Sequence, residues 1–297
     1  MKNAIIQINK MGYLKVLNNN NKVYSNVSSQ RYQKPQTGDL SFKFVLSGEE
    51  KYSLGRRQLA IHPDSFLLIN KGTEFTSTIE SNLPVESFSI DFDQQFLQDF
   101  TNCLRLKSSQ LLDHTTDRIS IIDFDETIYP FKGDINYNIK HLKRHLDAGL
   151  QDELLINEYL HHSLVNYYNI YDTEIVKKSE NLTFLNKSTK IEILRRLNLA
   201  KEYMLSNYNN SIDLDMIAKH SCLSVNHFLR TFKQAYCQSP YQFLTQVRLQ
   251  RARILLKTTD YSVNEIVNLV GFECSSSFIR LFKSKYQITP SRFKIPA

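Results

Sequence analysis

One phrase occurs twice in this chain. Residues 224–243 read SVNHFLRTFKQAYCQSPYQF and residues 274–293 read CSSSFIRLFKSKYQITPSRF. Phe228, Arg230, Phe232, Lys233, Tyr236, Pro240 and Phe243 therefore recur in register as Phe278, Arg280, Phe282, Lys283, Tyr286, Pro290 and Phe293. A repeat of this length demands a fold that uses the same local structure twice. In each copy the phenylalanines fall at i and i+4, which buries one face of a helix and leaves the arginine and lysine off that face. Ser239-Pro240 and Thr289-Pro290 then supply a hydroxyl N-cap followed by proline at the first helical position, so each copy ends where another helix begins.

The flanking residues extend the unit. Thr189-x-x-Glu192 has the form of a capping box ahead of a helix striped by Ile193, Leu197, Ala200 and Met204, which stops at the Asn-rich residues 207–210. A short helix follows Asp213, a turn falls at Ser221-Cys222-Leu223, and Ser224 caps the first basic helix. The order repeats, with a capping box at Ser262-x-x-Glu265, a short helix to Val270, a turn at Gly271-Phe272 and a basic helix over 275–286. Each half is a helix-turn-helix in outline. Between them Tyr241 to Lys257 contains neither Pro nor Gly and reads as one helix of about 25 Å at 1.5 Å per residue.

Charge follows the same division. From Lys190 onward there are 16 Lys and Arg against 7 Asp and Glu, net +9, and the first 189 residues carry net −2. A basic C-terminal third points to nucleic acid or an anionic membrane, and no amphipathic or lipidated anchor accompanies it. The start, MKNAIIQINKMGYLKV, has no long apolar signal core, and no apolar run reaches membrane-span length, so the expected location is the cytoplasm. Cys103, Cys222, Cys237 and Cys274 form no CxxC pair and fit reduced thiols.

Ahead of the basic third, residues 13–91 look like β structure. Runs at Leu40 to Leu46, Gln58 to Ile61, Ser65 to Ile69, Phe75 to Ile79 and Val85 to Phe92 are separated by turn-formers such as Ser47-Gly48, His62-Pro63-Asp64, Asn70-Lys71-Gly72 and Asn82-Leu83-Pro84. The spacing suits a small barrel or sandwich. The pattern is mixed after Asp93, with a further strand expected at Ile119 to Phe124. From Asn138 the period becomes helical, through Ile139, Leu142, Leu146 and then Leu154, Leu155, Tyr159, Leu160, Leu164 and Tyr167 or Tyr168, divided near Gly149. These helices are expected to pack on the barrel or on a second subunit. Residues 171–187 lack a period and read as a linker.

The pattern IAxxxxLSxxxFxRxFKxxxxxSPxxFLxxxRLxxARxLL, followed by IxxIxxxxGFxxxSxFxRxFKxxYxxTP, resembles the DNA-binding domain of AraC/XylS-type transcription regulators over about residues 188–295. The segment FVLSGEEKYSLGRRQLAIHPDSFLLINKGTEF resembles the cupin-like sensor and dimerisation domains common in that family. The resemblance implies an α+β chain of two domains: a cupin-like β-barrel with trailing helices over 1–170 (helices about 138–170), a linker over 171–187, and an all-α domain over 188–297 in which a linker helix joins two helix-turn-helix motifs. It implies double-stranded promoter DNA as partner, a small-molecule effector in the first domain, a homodimer, and RNA polymerase as a further partner of an activator. A second reading makes the first domain a dimerisation or protein-interaction module only, and a remote third makes it a cupin-like enzyme.

The wheel of each basic helix, together with carry-over from the family, selects the DNA-facing residues. They are Asn226, His227, Leu229, Arg230 and Lys233 in the first helix, and Ser275, Ser276, Ile279, Arg280 and Lys283 in the second. Arg230 and Arg280 suit guanine O6 and N7 or, as the alternative, a phosphate or an internal ion pair; Asn226 suits adenine, and the two lysines suit phosphates. Leu229 and Ile279 fit either a thymine methyl or the motif core. Arg248, Arg251 and Arg253 read as a solvated or internally paired face, with Arg248 the structural one. Three departures from the family stand out. Cys237 and Gln287 occupy helix ends that usually carry Gly, Val267 replaces the small residue kept as Ala218, and Cys274 stands where Ser224 caps the first helix, with Ser275 expected to cap one residue later. The first copy is therefore expected to dominate specificity.

Other chemistries find little support. His62 stands alone and reads as a turn or core residue, His141 with His145 and His161 with His162 read as packed or solvated, and no metal or cofactor is expected. Asp123, Asp125 and Glu126, like Asp91 and Asp93, lack a nucleophile or phosphate cradle, and no GxGxxG or P-loop occurs. The chain is expected not to be an enzyme.

Overall fold

The computed structural model describes residues 5–9, 12–105, 124–184 and 186–294. They form two compact units, Met1–Glu174 and Ile175–Ala297.

The first unit is an antiparallel sheet followed by helices. Its strands are β1 (Ile5–Asn9), β2 (Gly12–Val16), β3 (Lys22–Gln36), β4 (Leu40–Ser47), β5 (Glu50–Leu54), β6 (Arg57–Ile61), β7 (Ser65–Ile69), β8 (Phe75–Phe92) and β9 (Ile128–Pro130). The main path runs β1-β2-β3-β8-β4-β7-β9, with β5 between β6 and β8. Strand β8 organises it. Its first part pairs with β5 from Phe75 to Thr78, its second part pairs with β4 from Glu86 to Phe92, and β3 follows it along both. Asn82-Leu83-Pro84, expected as a turn between two strands, instead lies inside this one strand. The β3 register slips there, with Ser28 opposite Val85 and Gln30 opposite Glu80, so the irregularity bends β8 without ending it.

Burial explains what the alternation in β4 and β8 is for. Phe42, Phe44, Phe88, Ile90 and Phe92 are buried, as period two requires of a core face. Ser41, Lys43 and Ser87 lie on the opposite face and are also buried, so that face lines an interior polar space. On the apolar side, Phe42 and Phe124 meet Tyr167 at ring separations of 5.5 and 5.3 Å.

Among the described residues, three helices follow the strands: α1 (Gln94–Arg105), α2 (Asp134–Asp147) and α3 (Glu153–Tyr171). Helix α1 falls where the sequence shows no clear period. The strand expected at Ile119 to Phe124 lies outside the described residues except for Phe124, which is buried in no strand. Helix α2 buries Ile135, Ile139, Leu142 and Leu146, and Gly149, at φ 85°, turns the chain into α3. Asn138 Nδ2 donates to Tyr159 O and Ser163 Oγ, both at 2.9 Å, holding α2 against α3. The buried stripe of α3 is Ile156, Leu160, Ser163, Leu164 and Tyr167; Leu154, expected in the stripe, is exposed in the first turn. After α3 the chain stays helical through a widened π-helical turn at Asp172–Lys177 and one α-turn at Lys178–Glu180. A widened turn shifts the side-chain phase, which is why no 3.6 period is legible there.

The second unit is all helical: α4 (Lys187–Ser206), α5 (Leu214–His220), α6 (Val225–Tyr236), α7 (Pro240–Thr258), α8 (Val263–Leu269), α9 (Ser275–Tyr286) and α10 (Pro290–Phe293). Helix α4 begins earlier than the Thr189 box implies. Asn186 is its N-cap, accepting from Ser188 N at 2.9 Å, and Glu192 instead accepts from Arg196 Nε one turn on. Ile193, Leu197, Ala200 and Met204 are buried.

Candidate nucleic-acid interface

Each motif is closed by the same device. Leu223 N donates to Ala218 O at 3.2 Å and Phe272 N donates to Val267 O at 3.0 Å, so both first helices end in a left-handed turn with an apolar residue after it. The left-handed residue is Cys222, φ 52°, in the first motif and Gly271, φ 80°, in the second. The N-caps Asp213 and Ser262 accept from Met216 N and Glu265 N, and the Ser262–Glu265 capping box is complete. The one at Ser239–Gln242 opens α7.

The shared phenylalanines hold the basic helices down. Phe228, Phe232, Phe278 and Phe282 are fully buried, with centroids 5.3 Å apart in α6 and 5.6 Å apart in α9. The rings of Tyr236 and Tyr286 pack, tilted, against those of Phe232 and Phe282 at 4.5 and 4.6 Å. Cys237 and Gln287 adopt the left-handed C-cap that Gly usually provides, at φ 55° and 61°. The cap shape is therefore kept, at a backbone cost of about 1–2 kcal/mol for a residue with a Cβ. Neither Ser224 nor Cys274 makes a side-chain cap bond. The expected shift of the second cap to Ser275 does not occur: Cys274 is the N-cap, its Sγ 3.1 Å from Ser276 Oγ. Hydrogen bonds from Ser276 and Ser277 draw the exposed Cys274 thiol down to about 7.

The cations of the linker helix and of the two basic helices divide into two sets. Arg248 Nε donates to Tyr208 O at 2.7 Å, a guanidinium NH2 donates to Asn210 O at 2.9 Å, and the group lies 5.9 Å from the Phe272 ring. Arg251 lies over Tyr208, Arg253 over Tyr286 and Lys257 over Phe293. Lys294 donates to Asp260 O and Tyr261 O. These side chains are occupied in holding helices together. Arg230, Lys233, Arg280 and Lys283 are exposed, and the side chain of none of them has an ion pair or hydrogen bond among the described residues.

The remaining selected residues differ in exposure. Asn226 and Ser276 are exposed and Ser275 is half-buried. Leu229 is half-buried, but Ile279, at the same register position, is 40% exposed. His227 is turned inward, its ring 6.0 Å from Phe184 and its Nε2 buried without a hydrogen-bond partner. This contact belongs to a strap that sequence reasoning missed. Gln234 Nε2 donates to Thr183 Oγ1 at 3.3 Å and Lys178 lies 5.1 Å over the Tyr236 ring, so residues 178–184 run along α6.

The first unit holds a separate cavity of about 250 Å³, lined from β3, β4, β5 and β8. Lys43 Nζ pairs with Asp91 at 3.0 Å inside it, and Arg31 pairs with the wholly buried Glu50. Burial and the Asp91 and Asp39 carboxylates push the Tyr24 phenol up to about 12, and burial followed by Glu50 pushes that of Tyr52 well above its ordinary value. Both phenols stay protonated. Among the described residues no group of three or more His, Cys, Asp or Glu is placed to hold a metal ion. His62 is buried with Glu49 3.5 Å away, and Glu126 accepts from Arg57, Asn70 N and Thr73 as a structural knot. Asp123 lies outside the described residues. Among those residues no helix is long and apolar enough to cross a membrane.

Family comparison resolves both units. Residues 24–164 match the AraC-like ligand binding domain and residues 217–294 match a helix-turn-helix domain. The chain belongs to the AraC family. An uncharacterised HTH-type transcriptional regulator of Haemophilus influenzae is 37% identical over 100 residues, 34% of this chain and 34% of that protein. The Msm operon regulatory protein of Streptococcus mutans is 33% identical over 109 residues, 37% of this chain and 38% of that protein. These matches span little more than a third of either relative's length. Among solved structures, the C-terminal domain of the response regulator yesN from Fusobacterium nucleatum is 31% identical, covering 33% of this chain and 95% of that one, with a TM-score of 0.31.

Proposed function

We propose that this protein is a transcription regulator that binds promoter DNA through both helix-turn-helix motifs and takes a small-molecule effector in its β unit. The observation that carries the reading is the sorting of cations. Every linker-helix cation is engaged with a carbonyl or a ring, but Arg230, Lys233, Arg280 and Lys283 project into solvent unpaired. Leaving four cations unpartnered on two equivalent helices has a use if phosphates or base edges complete them.

Arg230, Asn226 and Lys233, with Arg280, Ser276 and Lys283, form the DNA-facing set. Ile279 is offered to a thymine methyl. His227 acts through its packing on Phe184, and Leu229 and Ser275 stand at the margin. The polar cavity in the β unit supports an effector over a purely associative role for that unit. The reading places the protein in the cytoplasm as a homodimer at a promoter, within reach of RNA polymerase, and requires no catalysis.

Salt-dependent binding tests it. Lys233 and Lys283, as phosphate contacts, alone give a slope of log K against log salt of about −1.8. A slope near zero on DNA selected from random sequence would remove DNA as the partner.

A further inference from the structure

The strap beside α6 lies where DNA has to pass. His227, which the helical wheel offers to DNA, is turned inward with its ring 6.0 Å from Phe184. Gln234, two turns further along the same flank, donates to Thr183 Oγ1 at 3.3 Å. Arg230 stands between them, three residues after His227 and four before Gln234, so Thr183 and Phe184 run beside the reading face. A major groove about 12 Å wide admits one helix, itself about 10–12 Å across with its side chains. With a second segment along its flank, α6 does not seat in that groove.

The strap is fastened at its base and lightly held at its tip. Leu182 is 1% exposed, its N–H donates to Ser179 O at 3.1 Å, and Ser179 Oγ donates to Val176 O at 2.7 Å. Thr183 is exposed and Phe184 half-buried, and among the described residues they hold α6 through that one long hydrogen bond and that one ring contact. A penalty stands against them. His227 Nε2 is buried with no hydrogen-bond partner among the described residues, and it needs one whichever tautomer the ring adopts. A weak hold set against an unmet polar atom is a contact that a competing ligand displaces. The catches also belong to the first copy of the repeat: Ser277 and Ser284 take the places of His227 and Gln234 in the second, and neither offers a ring or an amide.

We propose that Thr183 and Phe184 are a latch over the first motif, and that lifting it opens α6 to the major groove and turns His227 outward as a further DNA contact. This rests on reading the chain as a DNA-binding regulator. Closed, the latch holds His227 off the face that carries Asn226 and Arg230. Open, His227 Nε2 reaches a phosphate oxygen or a base edge from the first turn of α6, the end of a recognition helix that meets the bases. Only molecules with the latch open read through the first motif, so its apparent affinity is reduced by that fraction. The second motif, without these catches, is ungated.

The test uses the full chain and a duplex selected from random DNA. Phe184→Ala is expected to tighten binding about 3- to 10-fold as the closed fraction disappears. Adding His227→Ala to that variant is expected to weaken binding again by about 3- to 10-fold, with one base position relaxed or the salt slope lowered. The chain has no Trp, so Phe184→Trp makes a single reporter. Its emission is expected to move to longer wavelength when saturating DNA lifts the ring into water.

An affinity unchanged or weakened by Phe184→Ala overturns the latch, the weakened case making the strap a brace for α6. So does Trp emission unmoved by DNA, or an affinity that His227→Ala leaves untouched once Phe184 is gone. Should Phe184→Ala lose its cooperative melt, Thr183→Ala removes the exposed hydrogen bond instead and is expected to tighten binding about twofold. Native chain that binds no selected duplex would sink the regulator reading itself, and native binding alongside a failed latch test sinks the latch alone.

Discussion

The first and second helix-turn-helix motifs share seven side chains in register but are braced differently. In the first, α6 has the strap 178–184 along it, with Phe184 against His227, Thr183 bonded to Gln234 and Lys178 over Tyr236, and Tyr236 OH donates to Asn198 of α4 at 2.7 Å. In the second, α9 leans on α7 and on α10, through Phe282 to Phe293 at 5.6 Å and Tyr286 OH to Gln250 at 3.5 Å. Identical residues thus give identical local structure, but the neighbours decide exposure. Leu229 is half-buried and Ile279 is not, and His227 is turned to a ring where Ser277 has none. A repeat in sequence therefore specifies two equal frames with unequal faces.

The largest test of this comparison is Phe232→Ala against Phe282→Ala. Both rings are fully buried, so each change is expected to cost about 3–5 kcal/mol, read from urea unfolding of the full chain. If the supports matter as described, Phe232→Ala also frees residues 178–184, seen as faster amide exchange there, and Phe282→Ala leaves that strap protected. Equal exchange in the two variants would break the distinction.

The turns give a second, smaller contrast. A Cβ on Gly271 would lie 2.7 Å from Asn209 O at φ 80°, against backbone that cannot rotate away. Gly271→Ala is expected to destabilise by about 2 kcal/mol or more. Cys222 already holds the matching left-handed position at φ 52°, so Cys222→Gly is expected to stabilise by about 0.5–1 kcal/mol. Same-sign effects in thermal melts would mean that the two turns are not equivalents.

On DNA, Arg230→Ala and Arg280→Ala are each expected to cost about 1–3 kcal/mol and to relax one base position, with different positions for the two; Lys233→Ala weakens all sequences alike. Selection profiles from random DNA report this directly. An unchanged profile for Arg230→Ala would make that residue a phosphate contact.

Much of the second unit was legible because its signals are local. The i, i+4 phenylalanines, the Ser262–Glu265 box, the Ser239-Pro240 start and the unbroken α7 each depend on a few adjacent residues. What escaped depends on distant ones. Asn186 rather than Thr189 caps α4, β8 runs through a Pro because β3 slips beside it, and the strap's contacts with α6 span up to 58 residues. The cavity was hidden for another reason. Ser41, Lys43, Ser87, Ser89 and Asp91 alternate with phenylalanines as they would on a solvated sheet face, and period two cannot distinguish such a face from the wall of a partly open polar cavity.

Helix α7 has a consequence for how this chain can change length. Arg248 fastens it to the carbonyls of Tyr208 and Asn210, in the segment that leads into the first motif, and lies 5.9 Å from Phe272 of the second, while Arg253 and Lys257, further along, lie over Tyr286 and Phe293. Each residue inserted between those points would rotate the second motif by about 100° and advance it by about 1.5 Å. The helix is in effect a shaft with a fixed phase. Loops elsewhere can absorb an inserted codon, but a single one here would swing Arg280 and Lys283 out of line with Arg230 and Lys233 and would set Leu249, Ala252 and Leu256 out of register with the second motif's core.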